Sequence, residues 1–430
     1  MKQNLILNIL MMTTTVTLVS CYNSDGIVET EEDENIYLLN GTDIKLTEEQ
    51  SELAAKTNNF AFNLLRSANN LQTKKNVSLL ISPISVTYVL GMLNSGATGE
   101  TAKEITSIIG SKESDTKTVN EFCNRIITET PKTDPNVVFN VANYIAVNKD
   151  YKLVFDKQFE EDMHNFYKAE LATLDFNSPS DLNIIDNWCN THTDGLIPKM
   201  SDLISPTNMI AFLNATYFKA AWYKKFNKKN TRTEIFYAED GKQKKVDMMH
   251  QKFYGQYWAN NLYTTLCLPY GSGQNWDMYI LLPNKGKTSD DIINSLTKDN
   301  WDSNHTFTTS SIIDTKVPRF TTNNEIDLKP IIEKMGAPII FKNEAEFYGM
   351  FTNSKQIKVD KLIQRNLTTV NEEGAEAAAV TLASMVSGAA GGSSNDKLQE
   401  VDFHCDHPFV YFIKESSSDI IFFIGVYRGE

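Results

Sequence analysis

Val370-Asn-Glu-Glu-Gly-Ala-Glu-Ala-Ala-Ala-Val-Thr381 runs on into Leu382-Ala-Ser-Met-Val-Ser-Gly-Ala-Ala-Gly-Gly-Ser-Ser-Asn395, and no charge occurs between Glu376 and Asp396. Three readings compete for this stretch. Alanine favours a helix, but Val380, Thr381 and the glycines weaken it, and a membrane span would carry fewer Ser and Gly. The third reading is an exposed loop able to become a strand. At period two, one face is Ala375, Ala377, Ala379, Thr381 and Ala383, all small, and the other carries Ala378, Val380, Leu382 and Val386. A strand with one uniformly small face can slide into a packed sheet.

Strands for such a sheet are legible on either side. Met209-Ile-Ala-Phe-Leu-Asn-Ala-Thr-Tyr-Phe218 is a continuous β-prone run, suited to a strand buried on both faces. Phe409-Val-Tyr-Phe-Ile413 and Ile420-Ile-Phe-Phe-Ile424 read as a terminal buried hairpin, and Tyr270-Gly-Ser-Gly273 as a turn between strands. Helices come early. Thr47-Glu-Glu-Gln50 has the spacing of a capping box, followed by Leu53, Phe60 and Leu64 at helical spacing. Ser82-Pro83-Ile-Ser85 opens a second helix with Pro in its first turn, and Asn94-Ser-Gly96 closes it. The class is α+β, with helices early and strands late. Length alone suggests two or three domains for 430 residues. No repeat or second linker interrupts the chain from about residue 46 to Val370, which favours one large domain over 46–430.

The first twenty residues read as a signal segment: Lys2, then an apolar stretch from Leu5 to Val19 too short and too Thr-rich to span a bilayer stably. It ends Leu18-Val19-Ser20-Cys21, which resembles the bacterial lipobox, where cleavage precedes a Cys that then carries lipid. A plain secretory signal with a chance Cys is the alternative, and lipidation of Cys21 is the preferred reading. From Tyr22 to Ile44 there are seven carboxylates and no base, so residues 21–45 are expected to be an acidic tether. The expected location is across the inner membrane, lipid-anchored in a bacterial envelope, with the outer membrane and the cell surface among the places the anchor allows.

Composition excludes several functions. With 41 Lys+Arg against 54 Asp+Glu the net charge is −13, which disfavours nucleic acid and other polyanions as partners. Beyond Cys21, the widely spaced Cys123, Cys189, Cys267 and Cys405 signal neither a disulfide framework nor a zinc site and read as reduced thiols. No phosphate-binding loop, zinc-protease helix, nucleophile elbow or dinucleotide fingerprint is present, so no catalytic residues and no cofactor are expected. His404-Cys405-Asp406-His407 is the one dense cluster of chemical groups. In an extended segment His404 and Asp406 part from Cys405 and His407, so neither a metal site nor a nucleophile pair is expected there.

Asn371-Glu-Glu-Gly-Ala-Glu-Ala-Ala-Ala-Val-Thr381 resembles the reactive-loop hinge of the serpins, suicide inhibitors of proteases. Other blocks agree, in family order. Asn76-Val-Ser-Leu-Leu-Ile-Ser-Pro-Ile-Ser85 with Gly96-Ala-Thr-Gly-Glu-Thr101 is similar to the family's early block. Asn214-Ala-Thr-Tyr-Phe-Lys-Ala-Ala-Trp222 with Phe226, and Val246-Asp-Met-Met249, resemble its central block. Pro318-Arg-Phe320, Leu328 through Gly336 and Pro408-Phe-Val-Tyr-Phe412 complete a match over about residues 46 to 427.

The resemblance implies three β-sheets, about nine helices, and a reactive-centre loop over about 372–400 held outside the main sheet in a metastable state. It makes Glu372, Glu373, Gly374, Ala375, Glu376, Ala377, Ala378, Ala379 and Thr381 the hinge. It also implies a mechanism in which a protease's nucleophile opens a loop bond, forms an acyl-enzyme, and is carried off as the loop inserts. Family spacing puts the bond after the fourteenth residue beyond Gly374, at Gly388-Ala389. The loop departs from the family here: Gly374 to Pro408 is 34 residues, longer than expected, so Met385, Val386, Ser387 and Ala390 are alternatives. All are small or aliphatic, favouring elastase-like or broad-specificity serine proteases, or cysteine proteases, as covalent partners of a monomer. Gln364 is a second departure. It stands where the family usually has a His facing the Ser82, Ser85 and Asn214 positions, the polar cluster beneath the strands that part. A non-inhibitory serpin-fold binding or chaperone protein is the runner-up, and an esterase-like hydrolase a third.

Overall fold

The computed structural model describes residues 42–112, 115–255, 257–272, 275–303, 311–353, 357–375 and 400–429. The signal segment, Cys21, the hinge residues beyond Ala375, and every candidate scissile residue from Met385 to Ala390 lie outside the described residues. Contacts begin within the expected tether. Thr42 N–H donates to Thr133 O at 2.9 Å, and Ile44, 3% exposed, donates its N–H to Ser417 Oγ at 2.8 Å. One apolar residue with a pocket to fill is enough to pin the end of an acidic segment.

Nine α-helices occur among the described residues: α1 (Glu48–Leu71), α2 (Pro83–Gly96), α3 (Gly99–Ile109), α4 (Thr116–Glu129), α5 (Lys157–Tyr167), α6 (Pro179–His192), α7 (Ser289–Ser295), α8 (Lys298–Ser303) and α9 (Lys329–Met335). The capping box forms as spaced: Gln50 N–H donates to Thr47 Oγ1 at 3.2 Å, and Thr47 N–H to Gln50 Oε1 at 3.1 Å. Helix α2 opens on Pro83 and is buried on nearly every side, so it sits inside the molecule rather than on it.

The strands in chain order are β1 (Leu79–Ile81), β2 (Val137–Asn148), β3 (Glu170–Leu174), β4 (Ile210–Ala221), β5 (Arg232–Tyr237), β6 (Gln243–Gly255), β7 (Tyr257–Ala259) and β8 (Tyr263–Tyr270). They continue with β9 (Trp276–Pro283), β10 (Ser311–Pro318), β11 (Phe320–Asp327), β12 (Lys361–Asn371), β13 (Gly374–Ala375), β14 (Glu400–His404), β15 (Phe409–Glu415) and β16 (Ile420–Tyr427). They form three sheets. The main sheet runs β11-β12-β13-β4-β2-β3, a second β1-β16-β15-β9-β8-β7, and a small one β14-β10-β6-β5.

The terminal hairpin β15–β16 lies inside the second sheet, paired also with β9 and β1. Strand β4 is buried on both faces because two cores meet across it. Phe212 belongs to the large core and Leu213 to a smaller one with Trp188, Cys189 and Ile363 on the other face. All four described cysteines are free thiols, with Cys123, Cys189 and Cys405 buried and Cys267 half-buried.

One alternation fails. Strand β14 ends at His404, Asp406 N–H donates back to His404 O at 2.9 Å, and the turn brings His407 Nδ1 within 2.7 Å of Asp406 Oδ1. Cys405 alone points inward. Asp406 and His407 therefore share a side instead of parting, because the extended backbone that the parity argument needs stops two residues earlier.

Candidate functional site

Strand β12 pairs parallel with β4 from Lys361↔Ala211 to Leu367↔Tyr217. Above that point the two strands separate and admit β13. Val370 and Asn371 of β12 pair antiparallel with Ala375 and Gly374, which pair on their other side with Ala220 and Ala221 of β4. The hinge thus does not lie wholly outside the sheet, as expected from the sequence: its first two strand residues are already in it. Ala375 is fully buried in the large core beside Val370. A tight turn at Glu372–Glu373 directly after β12 reverses the chain and brings Gly374 and Ala375 between the parted strands.

That turn admits only glycine at 374. Its φ is +147°, and a Cβ there would sit 1.9 Å from Ala220 O. Backbone bonds pin the turn from β4 onward: Trp222 N–H donates to Glu373 O at 2.8 Å, Phe226 N–H to Glu372 O at 3.0 Å, and Trp222 Nε1–H to Asn371 O at 2.8 Å.

Charge fixes the two glutamates. Glu372, 1% exposed, accepts from Arg319 Nε at 2.7 Å and Nη2 at 2.6 Å, and from the Thr231 hydroxyl. Burial pushes its carboxyl up, but the hydrogen bonds from Arg319 and Thr231 outweigh this and hold it below the ordinary glutamate range. Glu373 bridges Lys225 and Lys228, each at 2.9 Å, and those bonds hold its carboxyl down as well.

Lower in the sheet, Gln364 of β12 is fully buried opposite Asn214 of β4. Its Oε1 accepts from Ser82 N–H at 3.0 Å and Asn366 Nδ2 at 2.8 Å, and its Nε2 donates to Ser82 O at 3.0 Å and Asn214 Oδ1 at 3.4 Å. The amide therefore uses both donors and both lone pairs, more bonds than one imidazole could make. The chain of bonds goes on through Asn214 Nδ2 to Asn143 Oδ1 at 2.9 Å and Asn143 Nδ2 to Tyr167 O at 3.0 Å. Thr216 Oγ1 to Asn366 Oδ1 at 2.7 Å is a further tie between the parting strands.

The expected cluster is changed in two respects. Ser82 joins by its backbone, and its hydroxyl and that of Ser85, both buried, hydrogen-bond to nothing among the described residues. The side chains Gln364 meets are asparagines, and Asn143, Asn366 and Thr216 are members the sequence reading missed. Parity along the strand, Gln364 to Asn366, was the available signal. Arg319 lies in the Pro318-Arg-Phe320 stretch, and no local pattern gives it a role because its acid partner lies 53 residues later.

A sequence model of the family described as Serpin (serine protease inhibitor) matches residues 55–428. The chain belongs to the serpin family. Serpin B3 of Homo sapiens is 28% identical over 400 residues, covering 87% of this chain and 98% of that protein. Among solved structures, the thermophilic serpin tengpin in its native state superposes with a TM-score of 0.76 at 21% identity, over 90% of this chain and 96% of its own. Arabidopsis AtSerpin1 in its native stressed conformation gives 0.76 at 23%, over 89% and 99%. At such identities the two structures speak for the serpin fold, and the three sheets and nine helices agree with them. Serpins are in general protease inhibitors rather than enzymes.

Proposed function

We propose that this serpin is inhibitory and works by trapping an acyl-enzyme while its cleaved loop inserts into the main sheet. The observation that carries the reading is the position of β13: two residues of the loop lie between β4 and β12, directly above the register where those strands still pair. Further residues entering behind Ala375 need only extend a wedge already started, and the small face of Ala377, Ala379, Thr381 and Ala383 suits that path. An insert of about fourteen residues at about 3.3 Å each would carry an attached protease roughly 45 Å. The bond proposed is Gly388–Ala389, within the candidates Met385 to Ala390, and the partners are elastase-like or broad-specificity proteases.

The test is incubation with a panel of such proteases, followed by denaturing electrophoresis and mass spectrometry of the loop. A covalent complex and a new amino terminus in the range 386–391 are expected. Proteases that nick the loop and stay active would leave the non-inhibitory reading in its place. The fully satisfied Gln364 amide gives that second reading some support, since it ties together the strands that must part.

The amino-terminal proposal is independent of this one. Lipid on Cys21 would hold the protein to a bacterial envelope membrane, with the acidic stretch as spacer. Metabolic labelling with a fatty acid should mark the wild type and not Cys21→Ala, and equal labelling of both would remove the anchor.

A further inference from the structure

Three side chains able to ligate a metal share one face of the small sheet. Asp314 of β10 stands directly opposite Asp402 of β14 in the parallel pair, and His404 follows two residues further along β14 on the same face. One ligand atom from each lies within 4.8 Å of the others. His404 Nε2 is 3.9 Å from Asp314 Oδ1, too far for a hydrogen bond, and this enclosed nitrogen hydrogen-bonds to nothing among the described residues.

The charges around it leave a deficit of cations. Carboxylates directly opposite each other destabilise a strand pair unless something positive lies between them. Lys252, opposite Asp314 on β6, is paired with a third acid, Glu400. Lys316, opposite His404, turns instead to Glu234 at 3.0 Å. Two acids and an imidazole thus bring one ligand atom each within 4.8 Å of one another; Lys316 is held by Glu234, and the charge of Lys252, bonded to Glu400, also reaches Asp314 and Asp402, one cation shared among three acids.

We propose that Asp314, Asp402 and His404 bind a divalent transition-metal ion of the zinc type. One imidazole nitrogen with two carboxylate oxygens is a donor set for zinc and its first-row neighbours, whereas calcium and magnesium favour oxygen alone. Donors each about 2.0–2.2 Å from a shared zinc lie at most about 4.4 Å apart. The 3.9 Å separation meets that limit, and rotation of a carboxylate brings in the third donor. Water completes the shell.

The location gives the ion a consequence. Among the described residues strand β14 is an edge strand bonded to β10 alone, and it follows directly on residues 376–399. A cation with ligands on both strands fastens the carboxy-terminal anchor of that segment to the small sheet. The inference stands whether or not the protein inhibits a protease.

The experiment uses the full chain, without an affinity tag and freed of metal with EDTA, titrated with zinc chloride by calorimetry. Hydrogen exchange of the Glu400–His404 amides is followed in parallel. One equivalent should bind and exchange across β14 should slow. His404→Gln and Asp402→Asn should each weaken binding by at least about tenfold, the scale for perturbing a metal's ligand shell. His407→Gln, altering the neighbouring pair with Asp406, should leave it unchanged. Cobalt substituted for zinc should show no thiolate charge-transfer band. No binding, or binding that survives both ligand variants or fails equally in His407→Gln, overturns the site. Binding without slowed exchange overturns the clamp.

Discussion

Replacing Ala375 by arginine tests whether insertion of the loop is the working step. The side chain is fully buried on the core face, flanked by Val370 and Ala220, neither of which offers a countercharge. An unpaired guanidinium there costs several kcal/mol even after relaxation. The uncleaved protein has an escape. Only two register pairs on each side hold β13, with ladder bonds of about 0.5–1.5 kcal/mol net each, so withdrawing the stub costs no more than burying the charge. The variant should fold with the stub expelled and with lower thermal stability than wild type. A trap that must complete the strand has no such escape. A penalty of about 3 kcal/mol in the transition state for insertion slows it by roughly 150-fold, while attack on the loop bond is unaffected. Hydrolysis of the acyl-enzyme then wins, and inhibitor becomes substrate. The assay counts inhibitor molecules consumed per protease inactivated, with mass spectrometry confirming the same cleavage site. Ala378→Ser, of opposite parity in the sequence, should change the count little. If Ala375→Arg traps its protease one for one, insertion past this position is not how the protein works.

Gln364→Leu keeps the volume but strips Ser82 N–H and Asn214 Oδ1 of their bonds to Gln364; with about 1–3 kcal/mol for each buried orphan, a loss of about 2–6 kcal/mol is expected in denaturant unfolding. The same variant should take up a synthetic peptide of residues 375–388 faster than wild type, and unchanged uptake would separate this cluster from sheet opening. Arg319→Ala strands the buried Glu372 carboxylate and should cost about 2–3 kcal/mol at neutral pH, less than for a fully buried pair because Arg319 is partly solvated. Glu372 is held below its unfolded value, so its contribution is complete above the ordinary glutamate range and disappears as pH falls through the folded value. The stability gap between wild type and Arg319→Ala should therefore close on acidification; a gap constant from pH 7 to pH 3 would mean that the ion pair is not its source.

Much of the fold could be read from one chain because it rests on short-range rules. The capping box at Thr47 and Gln50 and the Pro83 start of α2 are satisfied within one helical turn, where residue identity decides geometry. The apolar runs of β4, β15 and β16 name buried strands without naming their partners. Parity alone placed Ala375 on the uniformly small face, and its side chain turns to the core. The same rule failed at Asp406 and His407, where the strand had already ended.

Contacts between distant segments were the part hidden in the sequence. The order of the strands, the Arg319 fork on Glu372 and the asparagine chain beneath Gln364 join residues tens to hundreds of positions apart, and no local pattern marks such pairs. Asp314 meets His404 for the same reason: β10 and β14 are neighbours only once the small sheet has formed. Backbone parity and caps are fixed by bonds between neighbours along the chain. The position of Gly374–Ala375 between β4 and β12 depends instead on which strands pack together and where they part, a balance over the whole core that only the tertiary structure decides.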